Sequence, residues 1–348
     1  MDARTTWPSL LNALLSGEHL TADETAWAMG EIMSGAATPA QFAAFVVALR
    51  AKGETVAEVS GMARTMLSRA TALVDVEGDT VDVVGTGGDR AHTVNVSTMA
   101  AIVAAAAGAR VTKHGNRSAS SLCGAADVLE HLGVVIDAPA EATARVAAEA
   151  GIAFFFAPVY HPSMRFAGPP RKEIGVPTVF NFLGPLTNPA RPAAQAIGVF
   201  DARMLPVVAG VFAERGVSAL VFRGDDGLDE LSTAATSTVY VVGGGEAVRT
   251  TFDPLDIGIP RSQPGDLRGG DAEFNAGAVH DLLRGKAGPI RDAALLNAAA
   301  ALTALDGVTA ETLTEQLRAN YARAAQAVDS GAGAATLDRW IEVSRAIR

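Results

Sequence analysis

The sequence predicts an α/β protein: a small helical domain followed by a larger α/β domain with a mostly parallel central sheet and surrounding helices. Three observations carry this. The first seventy or so residues read as helices only. From Thr80 onward, short β-branched and apolar runs alternate with helical segments, the pattern of strands joined by crossover helices. The stretch from His161 to Pro189 is rich in Pro, Gly and Arg, breaks the alternation, and can return to the helical domain.

In the helical part, Thr21 and Glu24 form a pattern in which each side chain caps the other's backbone amide, and Gly35 closes the helix. Thr38, Pro39 and Gln41 open the next helix. Proline suits the first helical position, where an N–H would have no partner. Gly53 ends that helix, and Thr55 with Glu58 opens a third. Ala26, Met29, Ile32 and Met33 recur at helical spacing. Three helices with clear start and stop signals suggest a small helical bundle.

Thr80 to Val84 reads as a strand ending at a glycine turn, 97–107 as a helix, and Ala109 to Thr112 as a short strand. Segments 125–132, 134–136 and 140–150 continue the alternation. Apolar runs follow at Ala153–Phe156, Ala196–Phe200, Ala219–Phe222 and Val239–Val242, with helical stretches at 203–215 and 291–303. Residues 331–335 read as a short connection before a last helix. No repeat of 20–50 residues is present.

The chain has 348 residues, 49% hydrophobic but only 5% aromatic, so its core is built from small residues that let helices pack closely. The net charge of −10 gives a surface that repels polyanions. An anionic substrate would need locally concentrated donors. Cys123 is the only cysteine, which excludes an intrachain disulfide and suits a reducing compartment. Met1-Asp2-Ala3-Arg4 lacks the layout of a secretory leader, and the longest apolar run, Met99 to Ala107, is about half a bilayer span. A cytoplasmic protein is expected.

Four segments and one arginine carry candidate chemistry. Gly85-Thr86-Gly87-Gly88-Asp89 follows a strand. Its backbone amides can approach an anion closely, or it is a plain connection. It is neither a dinucleotide fingerprint nor a P-loop. Asn95, Ser97 and Thr98 cluster before a helix, where they serve either as caps or at an anion-binding N-terminus. Lys113-His114-Gly115-Asn116-Arg117 concentrates positive charge and donors, and runs on to Ser118, Ser120 and Ser121. Asp225-Asp226-Gly227-Leu228-Asp229-Glu230 places four carboxylates in six residues, a solvated turn or a Mg2+ site. Arg171, after Pro169-Pro170, can clamp a carboxylate with its planar fork or lie on the surface. The six histidines are too scattered for a local zinc motif.

These motifs, in this order, resemble the anthranilate phosphoribosyltransferase family over about residue 10 to 345. Ala126–Glu130, Phe156-Ala157-Pro158 with His161-Pro162, and Asn181–Pro189 add to the resemblance. It implies a pyrimidine nucleoside phosphorylase-like fold, with residues 1–73 joined by about 165–188 as the helical domain. Residues 74–164 and 189–348 would form the α/β domain that binds phosphoribosyl diphosphate (PRPP). It implies transfer of phosphoribose from PRPP to the amine of anthranilate, Mg2+ (two ions per subunit), and a homodimer through the helical domain.

Residue by residue, the resemblance places PRPP on Gly85, Gly88, Asp89, Thr93, Asn95, Val96, Ser97, Thr98 and the run Lys113, His114, Gly115, Asn116, Arg117, Ser118, Ala119, Ser120 and Ser121. Anthranilate falls to Gly85, Asn116, Arg171 and His114, and metal to Ser97, Asp229 and Glu230. Three positions depart from the family pattern: Arg223, Ala125 and Pro170. No single general base is expected, because an aromatic amine is already neutral at pH 7. Catalysis would come from positioning and electrostatics. A nucleoside phosphorylase, or a noncatalytic nucleic-acid-binding relative, would share the fold; the acidic pair, Asn116 and the net charge speak against them.

Overall fold

The computed structural model describes residues 5–118, 121–263 and 265–347. Ala119 and Ser120, both expected at PRPP, lie outside the described residues.

The chain opens with α1 (Trp7–Leu15), α2 (Ala22–Ser34), α3 (Pro39–Lys52) and α4 (Val56–Ser68). Thr21, Thr38 and Thr55 each form the expected reciprocal cap, and Gly35 ends α2 in the left-handed conformation. Among the described residues the bundle also holds α1, ahead of the three helices read from their caps. At α1, Ser9 replaces the longer Glu or Gln of the other caps, with Thr6 Oγ1 accepting its amide at 3.3 Å. That weaker signature conceals α1 in the sequence. Glu58 does more than cap: its buried carboxylate also accepts the Leu20 amide at 2.8 Å and pairs with Lys52 at 2.9 Å. It thereby ties the turn before α2 to α4.

Seven strands follow: β1 (Thr80–Gly85), β2 (Arg110–Gly115), β3 (Ile152–Phe156), β4 (Ala194–Gly198), β5 (Ser218–Gly224), β6 (Ser237–Gly243) and β7 (Glu246–Phe252). They form one sheet in the order β3-β2-β1-β4-β5-β6-β7. The first five are parallel, and β6 and β7 add antiparallel at one edge. β2 runs three residues past its expected end, so Lys113, His114 and Gly115 belong to a strand and not to a loop. Their polarity masks a central, buried strand end. The run 134–136 forms no strand; the Val135 amide donates to Ser344 Oγ instead. β7, absent from the sequence-based expectation, is a polar, exposed edge strand. It is hinged on Gly244-Gly245, both with positive φ.

The remaining helices are α5 (Val96–Ala106), α6 (Ala125–Leu132), α7 (Ala140–Ala150), α8 (Ala157–Tyr160), α9 (Gly168–Ile174), α10 (Leu205–Glu214), α11 (Ala272–Leu283), α12 (Pro289–Asp306), α13 (Leu313–Asp329) and α14 (Ala332–Ala346). Residues 332–335 are the first turn of α14, with the left-handed Gly331 as the junction, rather than a connection. α12 is buried along most of its length, and its alanines let it press against α5 and the sheet. On the other face, α10 shares one core with the helical bundle: Phe45, Met29, Val208, Ile197 and Val221 belong to the same cluster. Among the described residues no helix is long and apolar enough to cross a membrane.

The chain reverses direction in the sheet at β1, placing β2 and β3 on one side and β4 and β5 on the other. The crevice outside the carboxyl ends of such strands is where open α/β sheets hold ligands. The glycine turn, the Lys113 segment and the acidic turn all leave from these strand ends.

Candidate active site

Gly85 ends β1 and stands in register with Gly198, which ends β4. Both must lack a side chain because Asp229 lies across them. A Cβ on Gly198 would overlap the Asp229 backbone, and one on Gly85 would overlap its carboxylate. Asp229 Oδ2 accepts the Gly87 amide at 2.6 Å. Gly87, Gly88, Arg90 and His92 all have positive φ. Left-handed Arg and His are strained, and this backbone lets successive amides face one anion. Asp89 accepts the Ala91 amide at 3.1 Å, which holds its carboxylate at the turn.

The acidic turn divides in two. Asp225 is bonded by the hydroxyls of Thr236 and Thr238, and Asp226 by the Ser232 hydroxyl and the Leu228 amide, so these carboxylates are satisfied locally. Asp229 and Glu230 turn inward. Burial pushes the Asp229 carboxyl up to about 7, with Asp89 adding to it. Burial, then the Asp229 charge, raise Glu230 well above the carboxylate range. A buried Asp229 and a half-buried Glu230 facing Asp89 are an arrangement that a divalent cation relieves. Arg223 braces the turn: Nε donates to Phe200 O at 2.8 Å and Nη1 to Gly224 O at 3.1 Å.

The residues present fit Mg2+, a hard cation that takes carboxylate and hydroxyl oxygens and keeps waters or substrate oxygens for the rest. Among the described residues no three His, Cys, Asp or Glu side chains are gathered into a complete cage, so any ion here relies on such outside oxygens.

At the start of α5, Asn95 is the N-cap residue but its side chain makes no cap. It donates to Cys123 O at 3.2 Å and accepts from Asn275 at 2.8 Å. Ser97 and Thr98 do not cap either. Ser97 Oγ accepts from Lys113 Nζ at 3.2 Å, its amide serves Glu230, and Thr98 Oγ1 is buried with no partner among the described residues. The Val96 amide donates to Val94 O at 2.7 Å. Thr93 bridges to Arg268, which anchors the approach to the helix.

Lys113 is fully buried, its Nζ donating to Val83 O at 2.6 Å. Burial lowers its pKa, opposed by the charges of Asp82 and Glu230. His114 donates from Nδ1 to Gly184 O at 3.0 Å. Burial, reinforced by His161 at 5.5 Å between ring centres, pushes it down to about 3. His114 is therefore a neutral ring with Nε2 buried and unpartnered among the described residues.

The rest of the segment spreads out. Asn116 is exposed, and its side-chain oxygen takes the Arg117 amide at 2.7 Å. The Arg117 guanidinium is committed to α6, pairing with Asp127 at 2.6 Å and Glu130 at 2.5 Å over the Phe156 ring. Ser118 and Ser121 share a hydroxyl contact of 2.6 Å. Ala125 packs its methyl beside Gly115.

Arg171 lies on α9, which packs against α3 of the bundle. Its guanidinium sits over Phe180 at 5.7 Å, burial lowers its pKa, and no carboxylate among the described residues pairs with it. A half-buried cation without a counter-ion suits an incoming carboxylate. Pro170 falls in the first turn of α9, where no helical N–H is lost, so this departure leaves the helix intact. Sequence reasoning missed Asp82 and Asn188, both buried and bonded to each other at 2.9 Å. A lone aspartate inside the run Thr80-Val81-Asp82-Val83-Val84 was the available signal, since a buried strand rarely holds an unpaired charge.

Residues 77–334 match the model of the glycosyl transferase family a/b domain, and residues 8–70 match that family's helical bundle domain. The chain is 66% identical over 342 residues to the anthranilate phosphoribosyltransferase of Thermobifida fusca, covering 98% of this chain and 97% of that protein. The crystal structure of anthranilate phosphoribosyltransferase from Thermus thermophilus superposes with a TM-score of 0.89 at 39% identity, over 97% of this chain and 99% of that one. The Saccharomyces cerevisiae enzyme in complex with PRPP and Mg gives 0.87 at 26% identity, over 99% of both chains.

Proposed function

This chain belongs to the anthranilate phosphoribosyltransferase family, and from that premise we propose which of its residues perform the reaction. The protein transfers the phosphoribosyl group of PRPP to the amine of anthranilate, giving N-(5-phosphoribosyl)anthranilate and diphosphate, an early step of tryptophan biosynthesis. Mg2+ is its cofactor, as in the yeast complex.

The amides of 85–89 and the α5 N-terminus take the diphosphate. The observation that supports this is the Gly87–Asp229 bond, which joins the glycine turn to the acidic turn that carries Asp229 and Glu230. Asp89, Thr93, Asn95, Val96, Ser97, Thr98 and Lys113 line the PRPP side, along with residues 114–118 and Ser121. Ser97 serves one metal ion, and Asp229 with Glu230 a second. Bound Mg2+ supplies positive charge to the diphosphate as it leaves. Lys113 stands next to Ser97 Oγ and adds a fixed cation there.

The acceptor is held from the other side. Arg171 takes the anthranilate carboxylate, and Gly85 and Asn116 complete its pocket. The neutral His114 stands on the acceptor side through its bond to Gly184 O, with Nε2 buried behind it. Arg117, engaged on α6, acts on the PRPP side only by shaping the loop. No side chain needs to remove a proton before attack, since the amine is already neutral. The work is alignment and charge placement.

Residues 1–73 with 165–188 form the unit that moves against the α/β domain and shuts water out of the site. Two such chains associate through the helical domain, a reading that the exposed Leu15 and Val47 on α1 and α3 support. A single cysteine supports placing the protein in the cytoplasm.

The test follows anthranilate fluorescence after mixing enzyme with PRPP and MgCl2, with EDTA and no-PRPP controls. The expected outcome is a fluorescence loss that requires both PRPP and Mg2+. A loss unaffected by EDTA would remove the metal assignment.

A further inference from the structure

β1 and β2 pair only at their first residues, Thr80 with Arg110 and Val81 with Val111. Yet β2 stays paired to β3 as far as Gly115, and β1 to β4 as far as Gly85. Beyond Val81 the two strands part. Parting leaves buried main-chain groups without ladder partners, and these must be satisfied elsewhere.

Three side chains do it. Asp82 Oδ1 accepts the His114 amide at 3.2 Å. Asn188 Nδ2 donates to Thr112 O at 2.7 Å and to Asp82 Oδ2 at 2.9 Å. Lys113 Nζ donates to Val83 O at 2.6 Å. Asn188 is itself oriented by the Ala190 amide, which donates to its Oδ1 at 2.9 Å. All three side chains are buried. The gap between β1 and β2 is thus bridged by side chains of set length.

We propose that Asp82 and Asn188 are positioning residues for PRPP: they hold the parted strands at a set width and so fix where the Lys113 ammonium stands beside Ser97. The proposal rests on the reading of Lys113 as a PRPP contact. Asp82 and Asn188 act through the ends of β1 and β2 and through the charge that Asp82 places near Lys113. Asn188 also closes the segment that carries Arg171, so one amide joins the acceptor side of the site to the donor side.

The experiment compares full-length Asp82→Asn, Asn188→Ala, Lys113→Ala and the exchange Asp82→Asn with Asn188→Asp. KM for each substrate, PRPP binding by calorimetry with MgCl2, and thermal unfolding are measured for each. In Asp82→Asn the side-chain oxygen can still accept the His114 amide, while the new amide nitrogen faces the Asn188 donor and breaks the 82–188 bond. The expected result is a PRPP KM and Kd raised at least tenfold in Asp82→Asn, with the anthranilate KM within twofold of wild type. The exchange restores the 82–188 hydrogen bond with donor and acceptor reversed but loses the donor to Thr112 O, so it recovers only part of the PRPP affinity. Should Asp82→Asn fail to fold, Asn188→Ala, which keeps the charge, reports through the same KM split. Variants that melt earlier but keep a wild-type PRPP KM overturn the proposal, as do variants in which both KM values rise together. A Lys113→Ala enzyme with a wild-type PRPP KM overturns the underlying reading as well. A raised PRPP KM in Lys113→Ala alone overturns only the positioning role.

Discussion

The Asp229 carboxylate accepts the Gly87 amide at 2.6 Å, joining two turns that lie 142 positions apart in the chain. Each turn alone is ordinary. Joined, they put the buried Asp229 and the half-buried Glu230 beside a glycine turn with left-handed backbone, an arrangement suited to holding a metal diphosphate.

The close passage of Asp229 over Gly198 makes that glycine sensitive. Gly198→Ala should displace Asp229, because the new methyl would overlap its backbone. Forced overpacking of this kind costs about 1–3 kcal/mol. Urea unfolding should show that loss, and a Mg2+ titration of activity should show a raised half-saturation point. A variant with wild-type Mg2+ dependence would mean that the geometry at β4 does not set the acid pair.

Replacing Asp229 and Glu230 together with alanine should abolish Mg2+-dependent turnover. It should also remove two neighbouring acids held above the usual carboxylate range, so the folded protein should survive. Activity that persists at the wild-type level across a Mg2+ titration would sink the assignment.

Arg171→Ala should raise the anthranilate KM tenfold to about a hundredfold, the loss expected for a charge-assisted hydrogen bond of about 1.5–3 kcal/mol. The PRPP KM should stay near wild type. Arg171→Lys should fall between, since it keeps the charge but not the planar fork. Equal shifts in both KM values would place the arginine outside the acceptor pocket.

His114 gives a pH prediction. Its folded pKa is depressed to about 3 from 6.5, so the unfolded chain binds the proton first as pH falls. The stabilisation is present above pH 6.5 and is lost from there down through about 3. At pH 5 the loss from this group is about 2 kcal/mol. Asp82 works in the opposite direction: raised to about 6, it favours the folded state as pH falls from 6 toward 4. Comparing variants separates the two. His114→Asn keeps a donor for Gly184 O and should lose about 2 kcal/mol less than wild type between pH 7 and pH 5, by urea unfolding at each pH. Identical losses would show that His114 is not held neutral by burial.

Local signals are strong where chemistry is confined to a few neighbouring residues. Thr21 with Glu24, Thr38 with Gln41 and Thr55 with Glu58 form the caps that their spacing predicts, because a capping box closes within one helical turn. The β1 run, the glycine turn and the acidic turn are legible for the same reason. The weak Thr6–Ser9 cap and the polar edge strand β7 carry little local signal, so neither is legible in the sequence.

The sequence by itself determined the class of fold, the helix boundaries set by caps, and the residue types available for phosphate, metal and carboxylate. Only the tertiary structure decided how they combine. It extended β2 so that Lys113 became a buried strand residue, turned Arg117 onto α6, and let Asn188 meet Asp82 across 106 positions. The physical reason is burial. A side chain's charge state and partners depend on what surrounds it once water is gone, and those neighbours come from strands far apart in the chain.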